Sequence, residues 1–245
     1  MMNLRASTLL IVFIVALVNP AFAEGGSVLN DFQCKKDLGS SARKALLAAM
    51  DKRFLGISGF SADFTQLSRM LAGTRTVSNS GRVSFLKPGR MNWVYQEPRQ
   101  RFISDGKTVW FYQPEMENGQ EKGGEVTLID FSSAFTSETP GSFLLGLGTL
   151  AKDFDLVTGC ETGAGYLAEL KPKVEDENLE EFHLLVRKHD NVSLGAKIVD
   201  FSENETIIRF HNLRINPGLE DSSFNFDIPR GVFIEDHRRR SSSTQ

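Results

Sequence analysis

Between Lys87 and Pro114 the chain reads KPGRMNWVYQEPRQRFISDGKTVWFYQP, with two tryptophans, two tyrosines and two phenylalanines in 28 residues. Period-two alternation runs through it twice. Met91, Trp93 and Tyr95 share one face of a strand, and Asn92 and Gln96 mark the other. Val109 and Phe111 then face opposite to Trp110 and Tyr112. Successive side chains of a strand point to opposite faces, so the second strand is bulky on both. Such a strand belongs to a sheet covered on both sides or to one lining a cavity. No nucleophile, base or metal-ligand cluster accompanies these aromatics. The stretch therefore points to binding an apolar object rather than transforming a polar one.

The first residues carry an export signal. Arg5 supplies a positive start, Leu9 to Val18 is an apolar run broken by Pro20, and Ala21-Phe22-Ala23 fits a signal-peptidase site. The run is shorter than the ~20 residues of a comfortable membrane span. Residues 1–23 thus read as a signal peptide rather than an uncleaved anchor, leaving a mature chain from Glu24. The formal net charge of −3 over 245 residues gives no basis for nucleic-acid binding. Two cysteines, Cys34 and Cys160, survive cleavage. An oxidising compartment permits one disulfide between them, and their separation excludes a CxxC redox centre. Residues 237–245, with His237-Arg238-Arg239-Arg240 at their head, read as a disordered basic and polar tail.

One domain spans 24–236. Glu24 to Gly39 reads as irregular. Ala42, Ala45, Leu46, Ala49, Met50 and Phe54 then follow helical spacing, with Arg43, Lys44, Asp51 and Lys52 opposite and Gly56 at the end. From Phe60 the period changes to two. Strands are expected over Phe60 to Leu67, Thr74 to Asn79, Arg82 to Leu86, Met91 to Tyr95, and Arg101 to Ser104 paired with Thr108 to Tyr112 around Asp105-Gly106. Asn79-Ser80-Gly81 reads as a turn, and Glu115 to Gly124 as a flexible loop. Thr139-Pro140 can start a second helix carrying Phe143, Leu144, Leu145 and Leu147, which is either buried core or a mobile greasy lid. Further strands follow from Phe154 to His211, and Phe224 and Phe226 alternate in a final one. Ten or eleven short strands in sequence order imply a curled antiparallel sheet wrapped round a helix or two, a mainly β, α+β fold.

Enzyme signatures are not found. There is no phosphate-binding glycine loop, no G-x-S-x-G elbow and no H-E-x-x-H, and the histidines are scattered. No metal or cofactor is expected. What remains is phenylalanine: 17 of the 19 lie beyond residue 23. An open barrel could present Phe64, Phe85, Trp93, Phe102, Phe111, Phe143, Leu144 and Leu147 to an acyl chain. Each buried CH₂ stabilises such a complex by about 0.8 kcal/mol, so no catalytic group is needed for affinity. A closed core could absorb the same residues.

Several segments in order resemble one family. Phe60-Ser61-Ala62-Asp63-Phe64-Thr65-Gln66 resembles the F-x-A-x-F-x-Q signature near the start of LolA, the periplasmic carrier of outer-membrane lipoproteins. Lys87-Pro88, Trp93 and Pro98 resemble its proline turn and tryptophan strand. Ser104 to Tyr112 resembles its S-D-G-K-x-x-W-x-Y segment. Thr139 to Leu145 resembles its T-P-F-x-L helix start with an insertion, and Phe224 to Asp236 its closing F-x-F-x-x-P-x-G-V segment. The resemblance covers nearly all of Phe60 to Asp236. It implies an incomplete antiparallel β-barrel of about 11 strands with a helical lid over an apolar cavity. The partners it implies are triacylated outer-membrane lipoproteins, an inner-membrane lipoprotein-releasing ABC complex and an outer-membrane acceptor, in the periplasm of a Gram-negative bacterium, with a monomeric carrier that is not an enzyme. The family's functional arginine before the turn proline matches Lys87, which keeps the charge but loses the planar donor fork. The competing reading is an envelope regulatory or structural protein of the same fold that senses or holds lipidated proteins without transport.

Overall fold

The computed structural model describes residues 25–70, 75–137, 142–174 and 179–239. The expected leader, Thr139-Pro140 and residues 240–245 lie outside them. Helix α1 (Gly25–Asn30) and the short strand β1 (Lys36–Asp37) precede the long helix α2 (Ser40–Leu55). A first run of strands follows: β2 (Gly59–Met70), β3 (Arg75–Leu86), β4 (Arg90–Tyr95), β5 (Arg101–Asp105), β6 (Thr108–Glu117) and β7 (Gln120–Asp130). Three single-turn helices come next, α3 (Phe131–Ala134), α4 (Ser142–Leu145) and α5 (Leu150–Asp153). The second run is β8 (Phe154–Glu161), β9 (Tyr166–Pro172), β10 (Glu181–Val186), β11 (Ser193–Val199) and β12 (Glu205–Ile215), and β13 (Phe233–Asp236) closes the order.

Among the described residues these strands form one sheet of 13, ordered β1-β8-β9-β10-β11-β12-β2-β3-β4-β5-β6-β7-β13. Each run is an antiparallel meander, and β12 joins them by pairing with β2 from Glu205↔Arg69 to Ile215↔Phe60. The order begins at β1 and ends at β13 without closing, so the sheet is open. The mainly β class expected from the alternation is the one found, with 13 strands where ten or eleven were expected.

Four local expectations need correction. Gly25 to Asn30 is helical, not irregular. Asn79-Ser80-Gly81 does not interrupt β3: those residues pair with Gln66, Thr65 and Phe64 of β2. A Cβ on Gly81 would lie 1.9 Å from the Val94 carbonyl oxygen and 2.8 Å from Phe64 Cε1. The glycine permits a close approach there, not a turn. Glu115 to Gly124 is not a loop but the end of a long hairpin, turning at Asn118 (φ 52°) and Gly119 (φ 79°), the positive pair that a two-residue hairpin turn requires. Phe224 ends a 3-10 turn (Asp221–Phe224), and the last strand is β13, parallel to β7.

Alternation gives the sheet two covered faces. On the inner face, β2 contributes Phe60, Ala62 and Phe64, β3 Val83 and Phe85, β10 Phe182 and Leu184, and β12 Phe210. Helix α2 lies against this face because Leu46, Met50 and Phe54 recur every fourth residue and form one buried stripe. Its alanines favour the helix, and the Gly56 and Ile57 amides bond the last-turn carbonyls of Arg53 and Phe54. Burying a side chain such as Met50 or Phe54 stabilises the fold by about 1.5–3 kcal/mol. The outer face is covered by two straps. Val28 of α1 packs on the cross-strand pair Leu67 and Ile207, with Leu29 and Phe32 beside them. At the other end Phe226, Ile228 and Val232 cover Tyr112, Val126 and Leu128.

Candidate functional site

The inner face of β2 to β6 is lined mainly with aromatic rings. Its rungs run Phe60↔Phe85↔Met91, then Ala62↔Val83↔Trp93↔Phe102↔Phe111, then Phe64↔Gly81↔Tyr95. Ring centroids lie 4.9 Å apart for Phe64 and Trp93, 5.1 Å for Phe64 and Tyr95, and 4.3 Å for the stacked pair Phe102 and Phe111. Phe210 comes across from β12 to within 5.2 Å of Phe60 and 6.4 Å of Trp93. Phe64, Phe85, Phe111 and Leu144 are buried, whereas Trp93, Phe102 and Leu147 are partly buried. Phe64, Phe85, Trp93, Phe102, Leu144 and Leu147 share one apolar cluster, and Phe111 joins through Phe102. Phe143 lies in α4, and its side chain is outside the described residues. Phe60, Tyr95, Phe210 and the α2 residues Met50 and Phe54 belong to the same interior, although alternation and helical spacing placed them in strands and a helix without assigning them to the lining. Only the β12–β2 pairing, about 150 residues apart in the chain, puts Phe210 there.

Farther along the same strands the inner face becomes polar. Gln66, Ser68 and Asn79 are buried. The Tyr95 hydroxyl donates to Gln66 Oε1 at 2.9 Å, and Gln66 Nε2 donates to Ser68 Oγ at 3.1 Å. Burial pushes the Tyr95 phenol well above its usual range, so it stays a neutral donor. The buried indole Nε1 of Trp93 lies beside this network and interacts with the Tyr95 hydroxyl.

The helices over this interior meet the sheet rim at a few polar contacts. Lys87 Nζ donates to the Phe54 carbonyl at 2.5 Å, satisfying a last-turn carbonyl of α2. Burial lowers the Lys87 pKa from its usual value. The Gly89 amide donates to Leu145 O at 2.8 Å and so ties α4 to the β3–β4 turn. Across the mouth, Arg53 of α2 approaches Asp190 at 3.9 Å. Asp51 Oδ1 accepts from the Ala151 amide of α5. Thr149 caps α5 by accepting from the Lys152 amide at 3.3 Å. On the outer face a disulfide joins Cys34 to Cys160.

Among the described residues no three of His, Cys, Asp or Glu are placed to hold a metal ion, and no helix is long and apolar enough to cross a membrane. What the arrangement provides is an apolar interior beneath helices held by a handful of hydrogen bonds. Such a site suits the reversible uptake of hydrocarbon.

The relatives of the chain fit this geometry. Residues 56–227 match the family model described as outer membrane lipoprotein carrier protein LolA. An outer-membrane lipoprotein carrier protein of Azotobacter vinelandii is 31% identical over 175 residues, which cover 71% of this chain and 79% of that one. A second, of Methylobacillus flagellatus, is 29% identical over 182 residues, covering 74% and 84%. Among solved structures, a LolA superfamily protein of Nitrosomonas europaea aligns with 75% of this chain and 97% of its own at a TM-score of 0.40 and 10% identity. With most of its length matched by these relatives and by the family model, the latter from the residue after α2 into the strap before β13, the chain belongs to the LolA family of outer membrane lipoprotein carrier proteins.

Proposed function

We propose that this protein is a periplasmic carrier that shields the acyl chains of outer-membrane lipoproteins. It takes them from an inner-membrane ABC complex and delivers them to an outer-membrane acceptor, without catalysing a reaction itself. The observation that carries this reading is the aromatic inner face lying under helices that meet the sheet through apolar contacts and a few polar ones. Opening such a cover breaks a few hydrogen bonds, each worth about 0.5–1.5 kcal/mol net, and uncovers apolar side chains whose larger burial term bound hydrocarbon can restore. Phe64, Phe85, Trp93, Phe102, Phe111, Phe143, Leu144 and Leu147 are assigned to the lining. Lys87 is assigned to control of the cover, because it bridges the β3–β4 turn and α2.

The test uses purified mature protein with inner-membrane vesicles that contain the releasing complex and a triacylated lipoprotein. A soluble one-to-one complex should form, and its lipoprotein should pass to acceptor membranes. A folded protein that solubilises no lipoprotein would sink the proposal. Capture without onward transfer would instead identify a protein that holds lipidated partners.

A further inference from the structure

Helix α2 has a second side. Leu46, Met50 and Phe54 face the interior, while Lys44, Lys52 and Leu55 are exposed away from it. The helix carries four basic residues, Arg43, Lys44, Lys52 and Arg53, against one acid, Asp51, in a chain whose acids outnumber its bases 31 to 28. Arg53 turns to Asp190, and Arg43 donates to the Val157 carbonyl. Further lysines stand beside the helix. Asp51 accepts from the Ala151 amide, which brings the exposed Lys152 of α5 alongside, and Lys173 Nζ donates to Ala151 O at 2.9 Å. The acids that touch this group are already engaged, Asp51 by that amide and Asp155 by Lys173 at 3.8 Å. Lys44, Lys52 and Lys152 make no ion pair among the described residues. Apolar side chains border the lysines: Leu55 is 64% exposed, Val174 61% and Val157 43%. One such side chain needs no explanation, but three beside an unpaired basic group mark an interaction surface.

We propose that this side of α2, with Lys152 and Lys173 beside it, seats the protein on an anionic phospholipid surface. Lysines fit such a surface because their ammonium groups are point charges on flexible stems, suited to headgroups that move laterally. A fixed acidic partner would favour arginine forks, and Arg43 is committed to a backbone carbonyl. Leu55, Val157 and Val174 supply apolar contact at the boundary between headgroups and acyl chains. The seat bears on the cover of the interior. Leu55 follows Phe54, whose carbonyl accepts from Lys87, so the helix that covers the aromatic face is also the one brought to the lipid surface. The inference concerns the outer side of α2 and stands apart from the carrier reading, which concerns the lined interior.

In the test the full mature chain is sedimented with vesicles of phosphatidylcholine alone, and with vesicles of equal parts phosphatidylcholine and phosphatidylglycerol. Wild type should bind the mixed vesicles and not the neutral ones, and raising salt from about 0.05 M to about 0.5 M should release it. Each lysine near an anionic surface contributes about fivefold in affinity. Lys52→Gln should therefore weaken binding about fivefold, and Lys44→Gln, Lys52→Gln and Lys152→Gln together about a hundredfold. Lys122→Gln, at the β6–β7 hairpin, removes the same charge elsewhere and should leave binding unchanged. Leu55→Trp should add emission that shifts to the blue on mixed vesicles only. Wild type that ignores mixed vesicles at low salt would overturn the inference. Full binding by the triple variant would overturn it too and pass the role to the basic tail. If wild type binds no vesicles but the triple variant loses loading from the releasing complex, the surface belongs to an acidic protein partner instead. An apolar probe should enter the interior of every variant equally, so the carrier reading is tested separately.

Discussion

The ammonium of Lys87 donates to the Phe54 carbonyl, and its stem lies under Gly146, where a Cβ would come within 3.0 Å of Lys87 Cγ. One side chain thus touches the end of α2 and the residue following α4. The depressed pKa fixes the sign of its pH dependence. With a folded pKa below the unfolded value, the folded state holds fewer protons between the two. The lysine's contribution to stability therefore rises with pH through that window and is least favourable below it, where the buried charge is fully present. Comparing wild type with Lys87→Leu by urea unfolding at pH 8 and pH 10, the difference should shift in favour of wild type at the higher pH. At pH 7 the net change should stay within about 1 kcal/mol, because the lost hydrogen bond and the relieved desolvation oppose each other. Handover is the sharper readout. Loading or release should be altered in Lys87→Leu and retained in Lys87→Arg, and unchanged rates for both steps in Lys87→Leu would make the lysine an ordinary rim residue. Spacing alone did not single out Lys87; its place before Pro88 in the family pattern did.

At the scale of elements, the straps set this chain apart from a bare curled sheet. The N-terminal strap is held by Val28 and Phe32 on the outer face, by the Asp31–Arg209 ion pair at 2.8 Å, and by the disulfide, whose partners are 126 residues apart. Chain-entropy reasoning gives a loop of that size nearly 5 kcal/mol, and about 2–4 kcal/mol is the usual yield. Replacing both cysteines by serine should lower stability by that smaller amount in urea. Binding of an apolar probe to the interior should be unchanged, since the strap lies on the opposite face. A parallel loss of probe binding in the folded variant would show instead that the two faces are coupled. The meanders themselves were readable because alternation and turn residues are local signals. Three features were not. Gly81 carries a turn residue's identity for a packing reason. The outer half of the β6–β7 hairpin is polar because it extends past the core. The β12–β2 pairing has no local signature, yet it brings Phe210 to the aromatic site.

The molecule as a whole is an open sheet with two ends to protect. At one, β1 is only two residues long. At the other, β13 shields the 11-residue strand β7 by pairing parallel to it from Phe233↔Glu125 to Asp236↔Leu128. Short, charged edge strands are poor templates for further pairing. This one carries Glu235 and Asp236, with Arg238 closing on Asp236 at 2.7 Å, and the chain continues back onto β7 and its end through the His237 amide to Leu128 O and the Arg239 amide to Asp130. The described part of the basic tail is therefore an edge cover, although the sequence suggested a disordered end. All four β13 side chains are exposed, Phe233 at 67% and Ile234 at 52%, so the strand contributes little to the core. Ending the chain after Val232 should accordingly leave urea stability within about 1 kcal/mol and lipid-probe binding unchanged. The freed edge of β7 would then present unpaired amides and carbonyls along a long strand. Sedimentation velocity should show the truncated protein self-associating as its concentration rises, while the full chain stays monomeric. A truncated protein that remains monomeric would mean that the β6–β7 hairpin protects itself, and a large loss of stability would assign β13 to the core that it borders.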